Sequence, residues 1–381
     1  MARNRAPRPY TGRRSTKPLL IVCLVALLTA LFLLHTYRTN ADFHAAVTSI
    51  AATLRGERQT PPAEVTTPTK PPAFGDQSPS NTPQDEPDGN NPEASANAPA
   101  VGLSDQEGLL MTLSLEALQQ PQQAVQQARS QGARGVVVDL KLQGGVIAYN
   151  SALEEPAVAT ALSPTPYDLQ ALATLCREND LMLIGRLSTF LDHLAAVNVT
   201  GACVAVRGGV PFLDGNYQRS LDPYREQSLS YLSLLVDEVC AHLDCLLLSD
   251  LAFPSYGKLS LIDYPSAPGK AEQLLSCLET LQERANLQDT ALWIELPSQA
   301  LTDATYASAS GQTYLSALSQ EQTPPVVVLR LPVGTTQQSL LQTLEQAPDH
   351  LTYIPLIQGS VERVISVKEA LSLNNVLCEP G

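Results

Sequence analysis

The sequence predicts an α/β fold, a (β/α)8 barrel of the TIM type, over residues 103–381. Three observations predict it. Short apolar runs without polar alternation recur along this stretch, which is the pattern of parallel strands buried on both faces. Segments with apolar residues at helical spacing separate them. The stretch is also long enough for one large domain. The clearest run is Cys-Leu-Leu-Leu at 245–248, which ends abruptly in Ser249 and Asp250 before a turn at Pro254. In parallel α/β folds, polar residues at the carboxyl ends of such strands line the site.

The elements follow in order. Strand 109–113 is followed by helix 122–131, which starts after Pro121. Strand 135–141 carries Val-Val-Val before Asp139. Helix 166–179 takes Thr165 as its cap and precedes strand 181–187. Residues 202–206 are extended, but too close to the previous strand for a crossover helix of their own. Helix 225–243 leads to strand 246–249, then helix 269–286 and strand 291–296. Helix 313–321, strand 326–331, helix 337–347, strand 352–357 and helix 361–373 complete the alternation. The last apolar run, 376–378, is very short and points to an irregular closure.

A different physics governs the amino-terminal part. Residues 1–17 read as a basic cytoplasmic tail with Arg3, Arg5, Arg8, Arg13, Arg14 and Lys17. An apolar run at 19–34 follows, and the span 18–37 reads as a transmembrane signal anchor. No small-residue cleavage site follows directly, because His35-Thr36-Tyr37-Arg38 comes next. A cleaved signal peptide is the other reading. Both put the rest of the chain outside the cytoplasm, and the basic flank puts the amino terminus inside. Residues 38–102 read as a mostly disordered linker, with ten prolines between Thr60 and Pro99. Such a segment buries too little apolar surface to offset the entropy of ordering, and its prolines make it a semi-extended spacer.

Charge narrows the partners. The first 17 residues carry six cations and no acid, so the remainder carries −20 against −14 for the whole chain. That balance argues against nucleic acid as an electrostatic partner. No cofactor is expected: there is no Gly-rich phosphate loop and no Gly-x-Ser-x-Gly elbow. The five histidines show no metal-ligand spacing. Cys176, Cys240 and Cys277 fall on apolar helix faces, where a buried free thiol is the ordinary reading. An oxidising compartment permits a disulfide, with no basis for choosing a pair.

Three stretches carry a family resemblance. Asp139-Leu-Lys141-Leu-Gln-Gly-Gly145-Val-Ile-Ala-Tyr149-Asn-Ser151 is the first, Ile184-Gly-Arg186-Leu-Ser-Thr-Phe190-Leu-Asp192 the second, and Leu221-Asp222-Pro223-Tyr224 with Tyr231 the third. In this order and spacing they resemble a bacterial glycoside-hydrolase family of otherwise unknown function, with an α-amylase-like barrel. The resemblance covers most of residues 105–378. It implies a nucleophile after the fourth strand and an acid after the fifth. Asp250 and Glu295 take those positions.

The chain departs from the family pattern where the fourth strand ends. The family's Phe-Asp-Tyr-x-Arg-Phe-Pro, registered on Phe253-Pro254, places its acid on Ser249 and its Arg on Ala252. Side chains alternate along a strand, so a shift of one residue turns the carboxylate to the other face. Asp250 enters the site only if the strand has ended and the loop turns. Glycoside hydrolysis needs two carboxylates, one charged and one holding a proton. The strand-end candidates are Asp139, Asp250 and Glu295, each of which also reads as a cap or an ion-pair partner. Lys141 and Arg186 are candidates for sugar hydroxyls, or for a structural network with Asp139. Asp192 and Asp222 read equally as helix caps. Trp293 is the only tryptophan and a candidate sugar platform, as are the loop-placed Tyr149, Tyr217, Tyr224, Tyr256 and Phe212. Gln358 matches a Gln that the resemblance places after the seventh strand. Aromatics make up only 5% of the chain, which counts against a high-affinity polysaccharide cleft.

The expectation is therefore a membrane-anchored, extracytoplasmic, glycoside-hydrolase-like barrel. It would act on or bind cell-envelope glycan through a site that is either catalytic or degenerate. The alternative is a non-catalytic envelope scaffold or protein-interaction module on the same barrel.

Overall fold

The computed structural model describes residues 108–302, 318 and 324–380. The expected tail, anchor and linker lie outside them, as does the helix expected at 313–321 apart from Leu318. Among the described residues, no helix is long and apolar enough to cross a membrane.

Eight parallel strands close into a barrel. They are β1 (Gly108–Leu113), β2 (Ala133–Lys141), β5 (Met182–Ser188), β6 (Cys245–Ser249), β7 (Ala291–Pro297), β8 (Val326–Arg330), β9 (Tyr353–Gln358) and β10 (Asn375–Glu379). Each pairs with the next in that order, and β10 pairs with β1. The irregular closure expected at the end is corrected here. β10 has five residues, and Leu377 is in register with Leu110 on one side and Leu356 on the other.

Helices cover the outside. α1 (Pro121–Ser130) starts with proline at its first position, where no amide hydrogen is needed. The helix expected from residue 166 begins three residues later, as α3 (Leu169–Glu178). Asp168 caps it by accepting from the Ala171 amide, which fixes the start that Thr165 was expected to set. The other outer helices are α4 (His193–Asn198), α5 (Glu226–Cys240), α6 (Lys270–Asn286), α8 (Gln337–Glu345) and α9 (Val361–Ala370). Two short turns of helix, α2 (Pro156–Ala159) and α7 (Gln299–Thr302), sit in loops.

Between β2 and α3 the chain makes an excursion not evident from periodicity. β3 (Ile147–Tyr149) turns back antiparallel on β2, and β4 (Leu162–Tyr167) lies parallel beside it. Residues 202–206 form isolated bridges rather than a strand: Cys203 to Leu221, Ala205 to Pro211 and Val206 to Ile262.

The apolar core has two layers. The larger packs the outer faces of the strands against the helices. The smaller fills the barrel with Leu110, Val137, Ile184, Leu247, Trp293, Val328, Leu356 and Leu377, together with Cys245 and Ile354. All six cysteines of the described residues are free thiols.

Candidate functional site

Strand alternation builds the site. Two residues beyond each residue of the interior layer, the side chain points inward again, one step nearer the carboxyl end. Val137 is thus followed by Asp139, Ile184 by Arg186, Leu247 by Ser249 and Trp293 by Glu295. Val328 is followed by Arg330, Leu356 by Gln358, Leu377 by Glu379 and Leu110 by Thr112. An apolar plug therefore carries a wholly polar ring at the carboxyl-terminal mouth.

Two arginines organise the ring. Arg186 holds Asp139 with two hydrogen bonds, Nε to Oδ1 at 2.6 Å and Nη2 to Oδ2 at 3.1 Å. Its Nη1 donates to Glu379 Oε1 at 2.7 Å and lies 3.6 Å from Glu295 Oε2. Arg330 donates from Nε to Glu295 Oε1 at 2.6 Å and from Nη1 to Glu379 Oε2 at 2.8 Å. The Gln358 amide adds a third donor to Glu379, at 2.7 Å. Burial alone would raise the Glu379 carboxyl, but Gln358 and the two arginines outweigh it and hold the group at about 2.

Asp250 sits outside this network. β6 ends at Ser249, and Asp250 takes a left-handed backbone conformation with φ 55°. That turn carries its carboxylate into the mouth despite the one-residue slip in sequence. Ser188 donates to Oδ2 at 2.7 Å, and Gln143 is 3.5 Å from Oδ1. Burial raises the Asp250 carboxyl above its ordinary range. The Ser188 hydrogen bond opposes this and the nearby Glu295 charge adds to it. Asp250, Glu295, Asp139, Arg186, Arg330 and Glu379 all line one cleft of about 390 Å³, and none of its lining residues is aromatic.

Other expected site residues are tied into the fold. Lys141 lines the same cleft, but its ammonium is fully buried against Asp192 at 2.8 Å and over the Tyr231 ring at 5.0 Å, so it is not offered to a ligand. Asp192 also caps α4 through the Ala195 amide. Asp222 accepts from the Tyr224 amide. Tyr149 faces the helix layer, and its hydroxyl donates to Glu238 Oε2 on α5 at 2.5 Å. Ser151 and the Ala152 amide bind the same carboxylate, so this part of the motif pins the β3 loop to α5. Trp293 belongs to the apolar plug beneath Glu295 and is 4% exposed, so it is no sugar platform.

Sequence reasoning missed Arg330, Glu379, Ser188 and Gln143. Arg330 and Glu379 each end an apolar run, as Asp139 does, so the same strand-end rule finds them. Ser188 and Gln143 carry no local signal, because only the packing of β5 and of the β2–β3 loop beside Asp250 gives them their place.

The fold is a (β/α)8 barrel whose mouth is a cleft lined by carboxylates and arginines. The family resemblance is borne out: residues 109–283 match the family described as "Putative glycosyl hydrolase domain". No curated protein matches the chain. The glycoside hydrolase domain of PgaB (BpsB) from Bordetella bronchiseptica is 14% identical, over 72% of this chain and 93% of that one, with a TM-score of 0.50. That likeness is one of fold. A hypothetical protein from Ruminiclostridium thermocellum is 24% identical over 49% of this chain and 96% of that one, with a TM-score of 0.42. A single-substitution variant of the PelA glycoside hydrolase domain from Pseudomonas aeruginosa is 13% identical over 72% and 94%, also with a TM-score of 0.42.

Proposed function

We propose that the protein is a membrane-anchored, extracytoplasmic glycan-binding barrel whose mouth holds a sugar of the cell envelope without hydrolysing it. One observation carries the second half of this reading. Glu295, the strand-end partner of Asp250, is 7% exposed and held between Arg330 and Arg186. Two-carboxylate hydrolysis needs a second carboxylate that substrate or water can reach. This one is buried: Oε1 accepts from Arg330, and Oε2 lies 3.6 Å from Arg186 with no hydrogen-bond partner. The ring of fixed hydrogen-bonding groups suits sugar hydroxyls. The basic residues 3–17 followed by the apolar run 19–34 support the anchor, and the proline-rich linker supports a domain held off the membrane.

A second reading rests on Asp250. Its raised carboxyl stands in the same cleft as the arginine-paired Glu295. A carboxyl raised by burial suits a proton donor. Hydrolysis here would use Asp250 as the acid and Glu295 as the nucleophile or base, the reverse of the order that the resemblance implies.

Binding and turnover on one glycan panel separate the readings, using residues 103–381 alongside Asp250→Asn and Glu295→Gln. Binding without turnover is the expected result. Turnover lost in both variants refutes the non-hydrolytic reading and establishes the second. Neither binding nor turnover refutes both, and turns attention to a protein partner.

A further inference from the structure

The mouth lacks the aromatic surface on which sugar rings stack, but the loops above it do not. The β5–α5 and β6–α6 loops leave the strands that end at Ser188 and Ser249. They join above the barrel through the Val206–Ile262 bridge and a small core of Val204, Phe212 and Ile262. Of the loop aromatics, Phe212 is buried in that core and Tyr224 stacks on Phe253 and Tyr264. Tyr217 and Tyr256 are instead 79% and 60% exposed.

The backbone carrying Tyr217 is held, and the Tyr256 ring rests on its neighbour loop. Asp214 accepts from the Asn216 and Gln218 amides, and its own amide donates to the Gln218 carbonyl. This closed turn sets Tyr217 at its tip in a left-handed conformation, φ 61°. Tyr256 lies on Gly215, so close that a Cβ there would overlap the ring. The backbones of Gly257 and Gly215 also meet, leaving the two loops no slack. Gly215 and Tyr217 are two residues apart, at most about 7 Å of chain. Tyr217 and the Tyr256 ring therefore belong to one lobe. An exposed tyrosine ring offers a face on which a sugar ring can stack.

We infer that Tyr217 and Tyr256 form an aromatic platform for the continuation of a polysaccharide chain whose end sits in the arginine-bridged mouth. This inference rests on the glycan-binding reading and extends it to a chain of several sugars. The mouth supplies hydrogen bonds to the terminal residue, and the platform supplies stacking to residues further along. Gly215 is required because any side chain there displaces the Tyr256 ring.

The test is calorimetric binding of ladders from one to six sugars, of the cello-, chito- and laminari- series, to the full-length protein. The variants are Tyr217→Ala, Tyr256→Ala, Gly215→Ala and Tyr256→Trp, each checked for an unchanged unfolding temperature. For the wild type, affinity is expected to rise with chain length. Tyr256→Ala and Tyr217→Ala should each lose about tenfold on the hexasaccharide and under about twofold on the monosaccharide. Gly215→Ala should follow Tyr256→Ala, and Tyr256→Trp should retain the length dependence. A length dependence that survives both alanine variants overturns the platform and leaves the glycan-binding reading intact. A wild type that binds no sugar of any ladder overturns that reading, and the platform falls with it.

Discussion

Arg186→Met tests the arginine-bridged mouth. The substitution keeps an unbranched stem of similar reach but removes the guanidinium from a group that contacts Asp139, Glu379 and Glu295. Three carboxylates then face one another with Arg330 as the remaining bridge. Glu379 gives one magnitude. Moving a carboxyl from 4.5 to about 2 corresponds to roughly 3 kcal/mol at about 1.36 kcal/mol per pH unit. The mouth opens to water, so about half of that survives screening, and only part of the remainder belongs to Arg186. Stranding Asp139, which loses both its hydrogen bonds, brings the expected total to about 3 kcal/mol, at the lower end for breaking a buried pair. The assay is urea unfolding of residues 103–381 at pH 7 and again toward pH 3. The sign follows from the depressed Glu379 carboxyl. Its contribution is present above the ordinary value of 4.5 and is lost as pH falls toward about 2. The gap between wild type and Arg186→Met should therefore be largest at pH 7 and should narrow below pH 4.5. As a control, Arg129→Met breaks an exposed pair with Asp180 and should change stability by under about 0.5 kcal/mol. The reasoning is refuted if Arg186→Met matches that control at pH 7, or if the gap widens in acid.

Asp250→Asn should stabilise the domain at neutral pH, because the wild-type carboxyl is raised by burial and its ionisation disfavours the fold. That gain should fade below the ordinary aspartate value of 3.8, and a midpoint that falls at pH 7 would contradict it. Gly145→Ala should cost roughly 3 kcal/mol in thermal or urea unfolding. Its Cβ would collide with Asp192 Oδ1, at φ 106°, and would break into the buried Lys141–Asp192 pair. An unchanged midpoint would show that this loop yields without cost.

The barrel was legible in the chain's local pattern. Apolar runs such as Val136–Val138 and Leu246–Leu248 leave no face for water, so each must be a strand covered on both sides. The same local logic put Asp139, Asp250 and Glu295 at strand ends. It did not show that β10 closes on β1, because closure depends on pairing between residues far apart, Gly108 with Asn375. It also misread Trp293 and Tyr149. Residue type suggested a platform and a ligand contact, whereas strand direction sends one into the barrel plug and the other toward Glu238 on α5. Asp250 shows the division most clearly. Alternation alone turns its side chain away from the mouth, and only the left-handed turn after Ser249 returns it beside Ser188. Local pattern fixes which residues must leave water. Which carboxylate meets which arginine is set by the closure of eight strands around one axis, and that information is spread over the whole chain.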